Sequence, residues 1–355
     1  MLGSFRFILA IFVVTQHLLL IPYMGHFAVH GFFILSGFLM TLVMKNTYGY
    51  TTGGIKKFLV NRLLRLYPIY WASIIITCLI VIFVSESYSV RYREYIYLPK
   101  DVYSWLQNIS MIYLNLFPGQ VYPRLSPATW ALTVELVFYL FIALGVSRNK
   151  KITIIWFLIS VIYTLSTLFI GLGYEYRYNI IFAGSLPFSI GALIYHFYQE
   201  LVRIAEKVRV SILYVLLFTN LFLVLIFKLY HFPRVFESLT FIINYAICSL
   251  LVLRLYFESN NLSIKKQKID KVLGDLSYPI YLSHWVIGLL ISYLLYAEPK
   301  IDRSFDSLFI YLITISVSIL FGLLCRYFID MPIDKLRQRL KTKDKKKNSI
   351  LSIER

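Results

Sequence analysis

Ionisable residues are scarce inside the apolar stretches of this 355-residue chain, and the few present stand at spacings that could support chemistry. Arg6 and His17 share the first apolar run, with ten residues between them. At about 100° per residue, eleven steps bring the second side chain to within about 20° of the first, so both project from one stripe, about 16 Å apart along the axis. Glu135 sits about two turns into a later run, PATWALTVELVFYL (127–140), at a depth comparable to that of His17. An ionisable group among lipid tails costs several kcal/mol unless it faces protein or water, so both are expected to point inward. Paired, the carboxylate would fix the imidazole tautomer and stabilise its protonated form, which is how a neutral hydroxyl is activated for attack. The alternatives are an anchoring role for Arg6, a helix-to-helix hydrogen bond for His17 and a structural ion pair for Glu135.

Further clusters accompany these three. Arg62 and Arg65 lie one turn apart in FLVNRLLRLYPIYW (58–71), behind Lys56 and Lys57. They could hold the phosphates of an anionic, nucleotide-like donor through forked hydrogen bonds, or serve only as topogenic charge and lipid head-group contacts. Pro68 is expected early in that helix, with Tyr67, Tyr70 and Trp71 as interfacial anchors. In GDLSYPIYLSHW (274–285), Ser277, Tyr281 and His284 follow at spacings of four and three and share a face, either lining a channel or forming part of an aromatic belt. His17, His26 and His30 could meet near one membrane surface, but no carboxylate or cysteine in that region completes a zinc-like ligand set, so no metal is expected. Cys78, Cys248 and Cys325 fall inside apolar runs without CxxC spacing and read as small core residues. The absence of P-loop, GxGxxG, GxSxG and HExxH patterns argues against an ATP-driven pump and against serine or zinc hydrolases.

These groups must be positioned by membrane helices. Hydrophobic residues make up 59% of the chain and charged ones 15%, against about 45–50% and about 25% in soluble proteins. That composition excludes a soluble enzyme, a disulfide scaffold and a disordered regulator, and leaves an all-α, polytopic membrane protein. A formal charge of +18 would suggest nucleic acid in a soluble protein. In a membrane protein the positive-inside rule accounts for it, and no nucleic-acid partner is expected.

Eleven apolar runs occur, near 4–23, 28–45, 67–85, 103–118, 129–146, 152–171, 179–198, 210–227, 238–257, 277–297 and 307–327. If all crossed, the basic loops 148–151, 199–209 and 265–271 would face outward, against the insertion rule. The run 103–118 is short, contains Gln107, Asn108 and Asn115, and leads into Pro118-Gly119, which suits a re-entrant or interfacial element. With ten crossings, one side collects 24 Lys and Arg and the other nine, so both termini are expected in the cytoplasm. The expected organisation is a transmembrane domain over 1–330 and a basic cytoplasmic tail over 331–355. In that tail KTKDKKKN (341–348) would contact anionic lipid. The first run carries Gln16 and His17 and lacks a small-x-small cleavage site, so it is expected to remain as a span.

As a set, these elements resemble the membrane-bound acyltransferase 3 family of bacterial carbohydrate O-acyltransferases. The resemblance rests on Arg6 and His17 at the family's spacing, VHGFFILSGFL (29–39), RLLRLYPIYW (62–71), TWALTVELVFYL (129–140) and LSYPIYLSHW (276–285), in family order. It implies a ten-helix domain in the bacterial cytoplasmic (inner) membrane that takes an acyl group, usually acetyl, from cytoplasmic acyl-CoA. The acceptor it implies is a hydroxyl of a surface polysaccharide, a lipopolysaccharide or a lipid-linked sugar. It supports roles for Arg6 and His17, and for Arg62, Arg65 and Glu135. Where many members carry two arginines, this chain has Asn61-Arg62. With no esterase-like region appended, a stand-alone transferase is expected.

The combined expectation is that Arg62, Arg65 and Arg6 neutralise the phosphates of acetyl-CoA while Tyr281 and His284 line its channel. His17, assisted by Glu135, would act as general base or carry the acyl group. The alternative is a lipid-linked glycan transporter or flippase using the same Arg, His and Glu as a proton relay. Against it, no pair of broken helices marks an inverted repeat. A polysaccharide polymerase or ligase would be expected to present a larger outer loop than 86–128.

Overall fold

Hydrocarbon offers no water to a backbone amide, so a chain this apolar must satisfy its peptide groups within helices. The computed structural model describes residues 1–114, 116–119, 121–259 and 261–338. It is helical, with no strand among those residues. Asn115 and the lysine-rich 341–348 lie outside the described residues.

The helices are α1 (Leu2–Leu19), α2 (Met24–Val43), α3 (Thr52–Val84), α4 (Glu86–Tyr92), α5 (Val102–Ser110), α6 (Trp130–Leu144) and α7 (Lys150–Phe169). They continue with α8 (Ser185–His196), α9 (Tyr198–Ala205), α10 (Val210–Leu229), α11 (Arg234–Ser259), α12 (Ile264–Leu295) and α13 (Phe305–Cys325). Among the described residues nine helices are long and apolar enough to cross a bilayer, and α8 with α9, bent by 93° at their junction, allows a tenth. α3 and α12 start well before the apolar runs at 67 and 277, because helix geometry continues through the charged turns that carry Lys56, Lys57 and Lys265–Lys271. Pro68 accordingly falls in the middle of α3, not near its start.

Side-chain contacts place both ends of the described chain on one face. The N-terminal ammonium pairs with Asp270 at 3.0 Å. The same carboxylate accepts from the Gly3 and Ser4 amides at 3.0 and 2.8 Å, which caps α1 with a negative charge from α12. Helical residues 331–338 continue beyond α13, and Arg337 donates to Asn61 of α3 at 3.2 Å. This is called the Arg6 face below, and the opposite end of α1 the His17 face.

The centre is built from α1, α2 and α12. α1 packs on α12 and α2, α2 on α8, and α12 on α13, while α10 and α11 pair at the flank. Two glycines set the α2–α8 approach: a Cβ on Gly37 would lie 2.2 Å from the Phe188 carbonyl oxygen, and one on Gly191 2.1 Å from that of Ile34.

The segment read as re-entrant does not cross. α5 is nine residues long, and its last carbonyls meet the middle of α3. Tyr67 donates to the Ser110 carbonyl at 2.6 Å, Trp71 to that of Ile109 at 3.0 Å and Tyr70 to that of Asn108. Tyr70 stands 14 residues from the Val84 end of α3, so α5 reaches about 21 Å along the helix from that end. The aromatics expected as interfacial anchors instead satisfy the open carbonyls of a helix end at depth. Asn108 completes the hairpin, donating to the Ser104 and Pro123 carbonyls and accepting from the Leu125 amide, each at 2.9 Å.

Candidate active site

Two cavities open toward opposite ends of the bundle. The first, of about 120 Å³, is lined by Arg6, Ser36, Arg62, Arg65, Glu135, Tyr139 and Tyr281. Its arginines also border a polar mouth with Lys271, Asp275, Asp334 and Arg337. The three guanidiniums differ in what they already hold. Arg65 is engaged by Asp275 at 3.4 Å and Asp330 at 3.2 Å, so it contributes little unbalanced charge. Arg6 and Arg62 form no ion pair among the described residues. Arg62 Nη2 donates to Asn61 Oδ1 at 2.9 Å, and Arg337 reaches the same oxygen. The second guanidinium beside Arg62 therefore comes from the C-terminal helix. Arg62 Nε and Asn61 Nδ2 are buried with no partner among the described residues. Unmatched buried donors are costly, and an anion in this mouth would satisfy them.

Glu135 belongs to this cavity, not with His17. Its carboxylate accepts from Ser36 Oγ at 2.7 Å and from the Tyr139 hydroxyl at 3.1 Å. The expected Glu135–His17 pair fails on depth. Trp130, five residues earlier on α6, already lines the second cavity, so Glu135 lies about 7 Å further in, while His17 is within one turn of the end of α1.

The second cavity, of about 260 Å³, is lined by Gln16, His17, His26, Arg93, Tyr95, Arg124, Trp130, Tyr178, Asn179 and Trp285. Here His17 meets His284: Nδ1 of the first is 2.8 Å from Nε2 of the second, and the His17 ring stacks on Trp285 with centroids 4.8 Å apart. Nδ1 of His284 lies 3.2 Å from the Ile280 carbonyl, which can only accept. With neutral rings the protons are ordered: His284 donates from Nδ1, accepts at Nε2 from His17 Nδ1–H, and leaves the His17 Nε2 lone pair free. His284, expected in the donor channel, is thus the partner that sets the His17 tautomer, the role expected of Glu135. Ser277 and Tyr281 from the same stripe do line the first cavity.

A thin layer separates the cavities, which share no lining residue. Tyr281 donates to the Ala128 carbonyl at 2.7 Å, and Phe32 meets the Tyr281 ring edge-on at 6.2 Å. Ala128 ends the returning arm of the α5 hairpin, so the re-entrant element forms part of this wall. Among the described residues no group of three or more His, Cys, Asp or Glu could hold a metal. His26 packs on Tyr178 at 4.2 Å and His30 on Tyr245 at 4.8 Å.

Sequence reasoning missed Arg93 and Arg124. The available signal was three arginines within 86–128, Arg91 among them, in a loop that insertion rules would keep poor in positive charge.

Buried polar chambers at the two ends of an apolar helical bundle define a polytopic membrane protein whose interior is built for polar ligands. Residues 2–327 match the family described as an acyltransferase domain, so the chain belongs to the acyltransferase 3 family and is a membrane acyltransferase. A protein of Haemophilus influenzae described as uncharacterized is 26% identical over 215 residues, covering 54% of this chain and 85% of that protein. No solved structure matches.

Proposed function

We propose that this chain is an O-acyltransferase of the bacterial inner membrane, moving an acetyl group from acyl-CoA at the Arg6 face to a saccharide hydroxyl at the His17 face. The charge asymmetry of the loops, 24 Lys and Arg against nine, supports a cytoplasmic Arg6 face. The phosphates of the donor would lie at the mouth formed by Arg62, Arg6 and Arg337, with the thioester arm in the cavity beyond. The acceptor hydroxyl would donate its proton to His17 Nε2 as its oxygen attacks the thioester carbon. The thiolate of coenzyme A then leaves and takes that proton back from the imidazolium. For thioester and alcohol to meet, the Tyr281 and Phe32 rings must turn aside. The acceptor is a surface glycan or a lipid-linked sugar.

The observation that carries this reading is the pairing of two opposed chambers, one with unmatched arginine donors and one with an imidazole whose free nitrogen is fixed by a second histidine. Protein reconstituted in vesicles with acetyl-labelled coenzyme A tests it, reading thiol release and label on glycan. His17→Ala and Arg6→Ala are expected to abolish both while the protein still inserts. Normal product from either variant would remove the basis of the proposal.

A further inference from the structure

The His17-face cavity holds two arginines that the transfer step does not use. Arg93 follows α4 directly; its guanidinium carbon stands 4.7 Å from the Trp285 ring and 5.7 Å from Tyr95. Arg124, 5% exposed, approaches the Tyr95 ring at 5.7 Å and donates to the carbonyls of Val121 at 3.0 Å and Pro127 at 3.4 Å. No acidic residue is among the described residues lining the cavity. Arg93 forms no ion pair among them, and its Nε is buried without a hydrogen-bond partner. Arg93, a cation with an orphaned donor in a lining that shows no carboxylate among the described residues, leaves the chamber without an electrostatic complement to it. The rest of the lining, Trp130, Tyr178 and Trp285 with the amides of Gln16 and Asn179, offers flat apolar faces beside polar edges, as a pyranose ring requires.

We propose that the acceptor is an acidic saccharide, a sugar bearing a carboxylate or phosphate, whose anion is held by Arg93 beside Arg124. This rests on the transferase reading above and narrows its acceptor. Arg93 presents its fork over an aromatic face, so the anion is bound where water is partly excluded and the sugar hydroxyl is turned toward His17 Nε2.

Binding, measured apart from turnover, tests it. Full-length protein in uncharged detergent is titrated with a hyaluronan tetrasaccharide, which alternates glucuronic acid and N-acetylglucosamine, and with chitotetraose, its neutral counterpart. Tryptophan emission reports the chamber, since Trp130 and Trp285 line it. At low salt the acidic tetrasaccharide is expected to bind about tenfold more tightly, equivalent to about 1.4 kcal/mol. The preference should shrink with added salt, vanish in Arg93→Gln and survive in part in Arg93→Lys. Equal affinity for the two sugars, no binding of the acidic one, or an unchanged preference in Arg93→Gln would overturn the inference. Phosphatidylglycerol that gives the same Arg93-dependent signal and blocks the saccharide would place a lipid head group there and overturn it as well. Charge-selective binding without acyl transfer would instead count against the transferase reading alone.

Discussion

Replacing His284 tests the proton order at the His17 face. In His284→Ala the Nδ1–H of His17 loses its acceptor at 2.8 Å, and the stacked ring that backs it, centroids 5.1 Å apart, disappears. A donor left unpaired in a buried site costs about 1–3 kcal/mol, and His17 escapes that cost by rotating or by moving its proton to Nε2, the nitrogen that must stay free. If the whole penalty falls on the reactive arrangement, kcat drops roughly five- to 150-fold. KM for the acyl donor should not change, because His284 does not line the donor cavity. His284→Gln is the informative rescue, since its amide oxygen can replace the Nε2 acceptor while the link to Ile280 is lost; it should recover much of the rate. The assay is steady-state thiol release from acetyl-CoA in the presence of glycan acceptor, with both substrates varied. Wild-type kcat in His284→Ala, or a raised donor KM at unchanged kcat, would refute the assignment of His284 as the orienting group.

Three other outcomes follow from contacts already described. Asn108→Ala leaves the Ser104 and Pro123 carbonyls and the Leu125 amide without that partner, and at about 1 kcal/mol each should cost about 2–4 kcal/mol, visible as a lowered thermal midpoint in detergent; an unchanged midpoint would show that the hairpin does not depend on it. Gly37→Ala drives a methyl to 2.2 Å from a backbone oxygen of α8, where no flexible side chain can yield, and should destabilise by about 1–3 kcal/mol, whereas Gly53→Ala, with nothing within 4 Å, serves as the silent control. Tyr281→Phe releases the Ala128 carbonyl and loosens the layer between the chambers. Hydrolysis of acyl-CoA without acceptor should then rise about fivefold, and a background equal to wild type would mean that the layer does not hold water back.

How far the site was legible depended on which coordinate a residue pattern encodes. Arg6 and His17 were correctly placed on one stripe at opposite ends of a helix, because eleven residues at a fixed rise and rotation leave little freedom. The run 103–118 was correctly denied a crossing, since amide side chains and a Pro-Gly mark a segment that protein must hold; in the structure α3 satisfies the open carbonyls of α5, and Asn108 ties the two arms of the hairpin together. Partner choice was not legible. Glu135 and His17 looked level only because depth was counted from the edges of apolar runs. In the structure the first residues of the run that carries Glu135 belong to the returning re-entrant arm, so α6 starts already at depth beside the second cavity and Glu135, five residues on, reaches the other chamber. His284 was grouped with Ser277 and Tyr281 by spacing, yet a stripe that long passes through both chambers and the wall between them.

The sequence by itself determined an all-helical membrane protein, the crowding of positive charge into one set of loops, and the faces on which its few buried polar groups lie. These follow from periodicity and composition, which act within a single helix. Only the tertiary structure decided that α1 is capped by a carboxylate 267 residues away, that Arg65 is neutralised while Arg6 and Arg62 are not, and that a histidine rather than a glutamate holds His17. Each of these depends on the rotation and depth of one helix against another. Packing sets those two quantities, and no local pattern records them.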